Sequence, residues 1–412
     1  MKKNVWIFNH YAGPPSLTGA LRHYMFSKYL QRAGYNVKVF AASAVHNTDR
    51  NLIPPNGPRW IEDDSEGVPF VFLKTRSYEG NGVGRVLNMI DYYRGLFKMI
   101  KTFDKPDIIL ASSVHPLTCV AGIKIAKRLG VPCICEIRDL WPQSIVDFGH
   151  FSQKNPLIKG LYILERRIYK NADAIIFTMK GGVDYLREKK LDSVVDLNKV
   201  YYINNGVDLA LFDAQVEETD RVETNEKVKP FRFVYTGSIR QANNLDMLVK
   251  SAEILQGKNN NIYFDIYGNG EARPQLETYV EEHHIKNVTL HGAIPKSKIP
   301  GVLADADACI LHYSDAGIWK YGSSNNKLFE YMASGKPILS TVHISYGPVD
   351  EYDTGVTADK WSVEGIAEAM QAVAQAPLEV RCKWGRNARK VAELYNYPIL
   401  ASKLVDIIEG LT

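Results

Sequence analysis

Residues 321–339, YGSSNNKLFEYMASGKPIL, place a polar cluster directly before an apolar helical pattern. The spacing predicts a helix that begins near Ser324, so that its first N–H groups and the positive end of its dipole are open to an anion. Asn325, Asn326 and Lys327 add side-chain donors at the same end. The pattern therefore predicts a binding site for a diphosphate.

Glu330 lies three residues after Lys327, so the two side chains are neighbours on one helix face. One turn behind the phosphates is where the ribose of a nucleotide begins, and a carboxylate accepts hydrogen bonds well from two vicinal hydroxyls. We therefore expect Glu330 to bind a ribose. The alternative is that Lys327 and Glu330 form a surface ion pair on an ordinary helix.

Two other loops of the second half are rich in glycine and follow strand-like runs. YTGSIRQANN contains Gly237 and Arg240, and YGNGEA contains Gly268, Asn269 and Gly270. Glycine allows backbone N–H groups to approach an anion closely, and ligands of parallel sheets bind beyond the carboxyl ends of the strands. One such loop is usually only a turn, but three at one edge favour a phosphate-bearing ligand. The fingerprint GxGxxG is absent after the first strand of either half, which argues against a nicotinamide enzyme.

Polar residues also end predicted strands of the first half, which we expect to supply the acceptor side. Asn9 and His10 end the first strand, Thr18 and Gly19 lie in the loop before its helix, and His115 follows the run IILASS. We predict a catalytic role for His115 and acceptor-side roles for the others. The alternative is structural, because a histidine at a strand end is usually solvated or hydrogen-bonded.

The run EIRD ends another predicted strand of the first half. Glu136 and Arg138 alternate to the same face of this strand, and Asp139 opens the following loop. We expect Glu136 on the acceptor side. The alternative is that the charges of EIRD form a buried ion pair that holds the following LWP segment in place.

The elements that must position these residues are alternating strand-like and helix-like segments. Runs such as NVWIFNH, YNVKVFAAS and PDIILASS in the first half, and FRFVYTGSI and IYFDIYGNG in the second, indicate βαβ units and parallel sheets. We predict an α/β fold with two doubly wound, Rossmann-like domains and an interdomain cleft. The predicted boundaries are 1–205 for the acceptor domain, 206–230 for a charged linker, 231–385 for the donor domain and 386–412 for a helix that crosses back.

Composition excludes several classes of protein. The 412 residues are 45% hydrophobic, enough for two cores, and the formal net charge of +4 comes without a dense basic run of the kind that binds nucleic acid. No window approaches the roughly 20 apolar residues of a membrane span, and the five scattered cysteines fit a reducing cytoplasm. Neither an Asp-x-Asp motif after a strand nor a His/Cys ligand spacing is present, so we predict no metal and no cofactor.

KLFEYMASGKPIL, together with the stretch from YGNGEARPQLE to ADADACIL, resembles the nucleotide-binding half of retaining GT-B glycosyltransferases of family 4. CEIRDLWPQSI resembles the E-x-R-D-L-W-P signature of a subgroup that builds bacterial surface polysaccharides. The resemblance implies that Glu330 binds the ribose and that the backbone at 268–270 and around Ile294 flanks the nucleotide. It also implies that Arg138 and Asp139 occupy the catalytic pocket, where relatives often have a histidine beside an acid.

Two departures from the family pattern affect the donor site. Gly322 stands where relatives commonly carry a glutamate that touches the donor sugar, and Ser238 and Asn243 stand near the positions of a basic pair that grips the diphosphate. We therefore expect Arg240 and Lys327 to share the diphosphate charge. Lys320 or nearby backbone amides would then help to hold the donor sugar.

The resemblance implies a retaining transfer of a sugar from a nucleotide diphosphate, with UDP expected, to a glycan acceptor on a polyprenyl-diphosphate carrier. The product would be a capsule, O-antigen or other surface polysaccharide. Two alternatives stay open: a nucleotide-sugar epimerase, which would consume donor without acceptor, and a non-catalytic nucleotide-sugar-binding subunit, which would never release nucleotide diphosphate.

Two helical patterns of the first half carry basic residues on one side. Met89, Tyr93, Leu96, Phe97 and Ile100 form one predicted apolar stripe, and Leu157, Leu161, Leu164 and Ile168 form another. Each stripe can simply pack on the sheet while the charges are solvated. The alternative prediction is peripheral binding to anionic lipid on the cytoplasmic face of the cell membrane.

Overall fold

The computed structural model describes residues 2–46, 48–80, 82–149, 151–218, 230–258 and 261–412. They form two compact units: Met1–Asn205 with Tyr397–Thr412, and Gly206–Asn396. The predicted α/β class with two parallel-sheet domains is confirmed. The predicted cleft between the domains stays a prediction.

The described residues of the first unit form an eight-stranded sheet in the order β3-β4-β2-β1-β5-β6-β7-β8. Its strands are β1 (Asn4–Phe8), β2 (Asn36–Ala42), β3 (Trp60–Asp63), β4 (Phe70–Leu73), β5 (Ile108–Ser113), β6 (Cys133–Ile137), β7 (Ala174–Phe177) and β8 (Val200–Tyr202). All neighbours pair in parallel except β3 and β4. The short strands β3, β4 and β8 are absent from the sequence-based prediction.

The described residues of the second unit form a fully parallel six-stranded sheet in the order β11-β10-β9-β12-β13-β14. Its strands are β9 (Phe231–Thr236), β10 (Ile262–Tyr267), β11 (Val288–Gly292), β12 (Ala308–Leu311), β13 (Ile338–Ser340) and β14 (Gly355–Thr357). The strand order reverses at β9 and β12, where doubly wound sheets bind their ligands.

Helices cover the faces of both sheets. The first unit has α1 (Arg22–Arg32), α2 (Val83–Met99), α3 (Pro116–Leu129), α4 (Gln143–Asp147), α5 (Pro156–Asn171), α6 (Gly182–Glu188) and α15 (Tyr397–Leu411). The second unit has α7 (Leu209–Glu217), α8 (Asp246–Gly257), α9 (Arg273–Glu282), α10 (Ile299–Asp305), α11 (Asn326–Ala333), α12 (Pro348–Glu351), α13 (Val363–Gln375) and α14 (Leu378–Leu394).

Two boundaries differ from the predicted ones. The predicted linker 206–230 contains α7, whose first turn is capped by Asp208. This helix belongs to the second unit, where Arg389 of α14 forms a salt bridge with Asp213. The rest of that linker, 219–229, lies outside the described residues. The predicted boundary between 385 and 386 falls within α14, and the boundary between the units comes instead between Asn396 and Tyr397, where α15 begins.

Helix α15 belongs to the first unit, where it packs on α1. Phe26 and Tyr397 make an edge contact with ring centroids 5.7 Å apart, and Lys3 forms a 2.7 Å salt bridge with Glu409. Pro398 fits the first turn of α15, where its missing N–H has no helical partner to lose.

The buried face of α5 differs from the predicted stripe. Leu157 is 62% exposed, whereas Glu165 is buried beside Ile158 and Ile168. Glu165 is tolerated in the core because the hydroxyls of Tyr169 and Tyr185 donate hydrogen bonds to it, and because burial raises its pKa to about 8, which favours the neutral acid. On α2, Met89 and Leu96 are buried as predicted, but Tyr93 and Phe97 are only half-buried.

Candidate functional site

Three loops follow β9, β10 and β11 at the carboxyl edge of the second sheet, and they are joined by backbone hydrogen bonds. The N–H of Gly237 donates to Tyr267, and the N–H of Gly268 donates to Gly292. A Cβ on Gly268 would lie 1.7 Å from the carbonyl oxygen of Gly237, so only glycine allows these two loops to approach so closely. Gly270 meets Ile239 in the same way, at 2.1 Å.

Helix α11 begins at Asn326, two residues later than predicted. The delay follows from Asn325, whose side-chain oxygen accepts a hydrogen bond from the N–H of Lys327 at 3.2 Å and so caps the helix. Asn325 is therefore partly engaged as a cap. Ser324 and Asn326 are half-buried on either side of it.

Lys327 points its ammonium at the glycine loop after β9. Its Nζ lies 3.9 Å from the centroid of the Tyr235 ring, and a Cβ on Gly237 would lie only 2.7 Å from the same nitrogen. Within the described part of the chain, this ammonium has no salt bridge and no hydrogen bond. Loss of solvent lowers the pKa of Lys327 to about 7, with the Glu330 carboxylate opposing that shift. An anion placed here would restore its full charge.

Glu330, one turn further along α11, forms a salt bridge with Lys296. The alternative interpretation of a Lys327–Glu330 surface pair is thus not what the structure shows: each side chain has a different neighbour. Lys296 opens the turn after β11, and Ile294 lies half-buried two residues before it. The contact brings the predicted nucleotide-flanking segment against the predicted ribose-binding residue.

Two other predicted donor-site cations lie at the same edge. Arg240 is half-buried after the glycine loop, and its side chain has no hydrogen bond or salt bridge to any other described residue. Lys320 is exposed in a 3-10 turn, Gly317–Tyr321, with its ammonium 4.9 Å from the centroid of the Tyr321 ring. Gly322 has φ of +95°, which disfavours the glutamate that relatives carry there.

His312 is a strand-end residue of this edge that the sequence analysis does not single out. It is buried after β12, with its ring nitrogens 2.9 Å from the Thr341 hydroxyl and 3.1 Å from the Asn244 carbonyl oxygen. Burial lowers its pKa to about 4, so the ring is neutral at physiological pH. Since both nitrogens are engaged within the protein, His312 supports the loops of the edge.

In the first unit, Glu136 is the centre of a buried polar network. Arg22 donates two hydrogen bonds to its Oε2 at 2.8 and 2.6 Å, and both side chains are 1% exposed. His23 and Ser112 contact its Oε1 at 3.1 and 2.7 Å. The pKa of Glu136 is held well below its usual value by Arg22 and His23 despite burial. Because these partners surround both oxygens, Glu136 links α1, β5 and β6.

Arg22 is, with His23 and Ser112, a residue of this network that the sequence analysis does not single out. Its guanidinium also donates to the carbonyl oxygen of Ile203 at 2.8 Å and lies 4.6 Å from the centroid of the Phe26 ring. In the sequence it looks like one polar residue of an amphipathic helix. The only sequence signal is its place at the start of the helix that follows the first strand.

Arg138 and Asp139 differ sharply from Glu136. Arg138 is half-buried and Asp139 is exposed, and neither side chain forms a hydrogen bond or salt bridge with another described residue. The alternative of a buried ion pair within EIRD is therefore wrong, because the acid that is buried and paired is Glu136, with Arg22. Arg138 and Asp139 stay predicted catalytic residues, with polar groups available to a ligand.

His10 and His115 contact each other beneath the carboxyl edge of the first sheet. His10 Nδ1 and His115 Nε2 are 2.7 Å apart, and both rings are at most 1% exposed. Burial lowers the pKa of His10, and it lowers that of His115 to about 3, so both are neutral and one donates to the other. His115 Nδ1 has no hydrogen-bond partner among the described residues. Because His115 is buried and its Nε2 contacts His10 Nδ1, we expect His115 to orient the His10 ring.

The remaining predicted acceptor-side residues lie around the first loop. Asn9 is buried and donates from Nδ2 to the Ser112 hydroxyl at 3.0 Å, which joins it to the Glu136 network. The hydroxyl of Thr18 accepts a hydrogen bond from the N–H of Ala20 at 3.1 Å, and Gly19 is exposed. This turn precedes α1, which begins at Arg22.

Two family models match the chain one after the other. The model described as Glycosyltransferase Family 4 matches residues 22–211, and that described as Glycosyl transferases group 1 matches residues 216–391. A crystal structure of HepE from Anabaena, in complex with UDP and glucose, aligns with 99% of this chain and 99% of its own, with a TM-score of 0.68 and 14% identity. The chain therefore has the GT-B fold.

Named relatives of this GT-B chain are distant. "Probable glycosyltransferase WbjE" of Pseudomonas aeruginosa is 19% identical over 60% of this chain and 60% of its own length. "Amylovoran biosynthesis glycosyltransferase AmsK" of Erwinia amylovora is 23% identical over 44% of this chain and 46% of its own. The alignments thus span about half of each relative.

Neither a metal site nor a membrane span is found in the described part of this GT-B chain. No three histidine, cysteine, aspartate or glutamate side chains of the described residues lie together so that they could hold a metal ion. The described helices also include none with the length and apolar character to cross a bilayer.

Proposed function

We propose that this protein transfers a sugar from a UDP-sugar to a glycan acceptor, with retention of anomeric configuration. The acceptor is proposed to be a lipid-linked glycan of a bacterial surface polysaccharide. The second unit takes the donor, and the carboxyl edge of the first unit supplies the acceptor side.

The observation that carries the donor half of this proposal is the Lys327 ammonium. Lys327 is half-buried, its ammonium has no salt bridge to a described residue, and it lies beside Gly237 at the N-terminus of α11, where loss of solvent lowers its pKa to about 7. Backbone N–H groups of a helix N-terminus and a cation together favour phosphate. Glu330, one turn further, is proposed to bind the ribose, whose hydroxyls would compete with Lys296 for the carboxylate. The UDP complex of HepE, which shares the fold, supports UDP as the nucleotide.

For the chemistry, we propose that the C1–O bond to the diphosphate breaks as the acceptor oxygen bonds to the same face of C1. The acceptor proton passes to the departing diphosphate. Lys327 and Arg240 stabilise the charge that develops on this leaving group, so the transfer is proposed to need no metal ion. Arg138 and Asp139 are the first-unit groups available to contact the sugars.

The direct test of the donor site is UDP binding by calorimetry. Glu330→Ala should bind UDP about tenfold to a hundredfold more weakly, because bonds from the carboxylate to the ribose hydroxyls contribute roughly 1.5–3 kcal/mol each. Glu282→Ala, at an exposed position on α9, is the matched control and should bind as the wild type does. Equal UDP affinity in all three proteins would exclude the proposed donor site.

The retaining assignment has its own test. The configuration of the new glycosidic bond, determined by NMR and compared with that of the donor, should be unchanged. Inversion would contradict the proposal even if UDP binds as expected. Consumption of donor without acceptor would instead favour an epimerase, and binding without release of UDP would favour a non-catalytic subunit.

A further inference from the structure

A groove of about 820 Å³ lies in the first unit between α2 and the segments around β3 and β4. We propose that this groove binds an acidic glycan. The identification of that glycan as the acceptor rests on the proposed function. The walls of the groove carry cationic, apolar and hydrogen-bonding side chains, which include Arg59, Trp60, Lys74, Arg76, Asp91, Arg94 and Lys98. We call this feature the cationic groove.

The positive charge of the cationic groove is only partly neutralised. Arg76 forms a salt bridge with Asp91 at 2.6 Å, Lys74 donates to backbone carbonyls, and Asp49 adds a second carboxylate to the lining. Arg59, Arg94 and Lys98 are exposed, and none has a hydrogen bond or salt bridge to another residue that the structure describes. Three cations in one concave surface repel one another and attract an anion.

The other walls favour a glycan over a single phosphate or a lipid surface. Trp60 and Pro54 offer apolar surface for sugar rings, while the hydroxyl of Ser77, which accepts a hydrogen bond from Asn51, can still donate one to a ligand. The volume is that of a pocket for a ligand of several rings, far more than one phosphate needs. A flat bilayer surface could not follow the concave wall. Carboxylates on sugar residues would fit both the charge and the shape.

The cationic groove adjoins the predicted acceptor edge. Arg76 and its neighbours directly follow β4, so one end of the groove is at the carboxyl edge of the first sheet. The side-chain amide of Asn88 donates to the carbonyl oxygen of Arg76, and the same side chain lies close enough to His10 to oppose part of the lowering of the His10 pKa by burial. A glycan in the groove would thus extend from the side chains around His10.

The test is calorimetry on the full chain with trigalacturonic acid as the acidic probe and maltotriose as the neutral one. The groove variant is Arg59→Gln/Arg94→Gln/Lys98→Gln. The charge control is Arg166→Gln/Arg167→Gln/Lys170→Gln on α5, which also removes two arginines and one lysine from exposed positions. We expect trigalacturonate to bind the wild type and the control, and to bind the groove variant at least tenfold more weakly. Binding should weaken with salt, and maltotriose should not bind measurably.

Several results would overturn the proposal. The first is that trigalacturonate does not bind the wild type, and the second is that the α5 control loses as much trigalacturonate affinity as the groove variant. The third is that equimolar inorganic phosphate displaces all of the trigalacturonate, which would indicate a site for a single anion. A further contrary result would be a wild type that binds phosphatidylglycerol vesicles but not the trisaccharide, together with a groove variant that no longer binds the vesicles. That result would assign the cations to a lipid surface. UDP affinity and melting temperature should be unchanged in the groove variant, so failure of the donor site is distinguishable from failure of the groove.

Discussion

The carboxyl edges of the two sheets handle charge in opposite ways. In the first unit, the buried carboxylate of Glu136 is surrounded by Arg22, His23 and Ser112, and the histidine pair beside it is neutral. In the second unit, Lys327 is desolvated and no carboxylate forms a salt bridge with it in the described residues. A balanced interior supports a rigid scaffold, whereas an unbalanced cation indicates that the missing charge comes from a ligand.

The largest effect is expected from breaking the balanced network of the first unit. Arg22→Met would leave Glu136 buried without its main partner, and removal of one member of a buried ion pair costs about 3–5 kcal/mol. We expect the urea midpoint of unfolding to fall accordingly. Arg22→Met/Glu136→Gln, which removes both charges, should recover much of the loss. A single variant as stable as the wild type would show that the network is not the scaffold we infer.

The network also has a pH dependence. Because the pKa of Glu136 is lower in the folded protein than in the unfolded chain, its stabilising contribution is complete above the unfolded value of about 4.3. That contribution is lost as the pH falls through the folded value. The double variant should lack this part of the acid sensitivity.

The next effect concerns the charges of the first unit that have no partner. Asp139→Asn keeps the shape but removes the charge, so turnover should fall about a hundredfold or more if Asp139 is catalytic, while the melting temperature holds. A structural role would give the opposite result, with a lower melting temperature and normal turnover. The assay is UDP release with acceptor present.

The contrast between the edges also explains which features of the two sites could be predicted from the sequence. Helical spacing placed Lys327 and Glu330 on one face, and loop composition placed Gly237 and Gly268 after strands, because both follow from local geometry. The partners of these residues could not be predicted: Arg22 and Glu136 are 114 positions apart, and only the tertiary fold brings them together. The short strands β3 and β14 were missed for a related reason, since they form at sheet edges with little local signal.

A smaller effect is expected on the pH dependence of UDP binding, because the Lys327 ammonium of the second unit has no carboxylate partner among the described residues. With a pKa of about 7, Lys327 loses its proton as the pH rises through 7, whereas bound diphosphate should keep it protonated. UDP affinity should therefore fall, up to about tenfold per pH unit, between pH 7.5 and 9, where UDP itself is fully ionised. Calorimetry in buffers of different ionisation enthalpy should show proton uptake of up to one per UDP at pH 8.

Lys327→Met is the variant that sharpens this result. It should abolish the proton uptake and weaken UDP binding. The free protein should become more stable at pH 7, because a lysine whose folded pKa is lowered destabilises the fold below its unfolded pKa of about 10.4. For the same reason, wild-type stability from this group rises between pH 7 and 10. Proton uptake that persists in Lys327→Met would assign it to another group.

The smallest expected effect is on membrane binding by the exposed face of α5. Unlike the concave cationic groove, this face is convex. Leu157 and Ile163 are 62% and 55% exposed there, beside the exposed cations of the charge control. We propose that this face contacts anionic lipid, at up to about 1 kcal/mol per basic residue. Sedimentation with phosphatidylglycerol vesicles at low salt should weaken in the Arg166→Gln/Arg167→Gln/Lys170→Gln variant but not in the groove variant, and high salt should abolish it. Equal sedimentation with neutral and anionic vesicles, or none with either, would remove the membrane contact and leave α5 as a solvated helix.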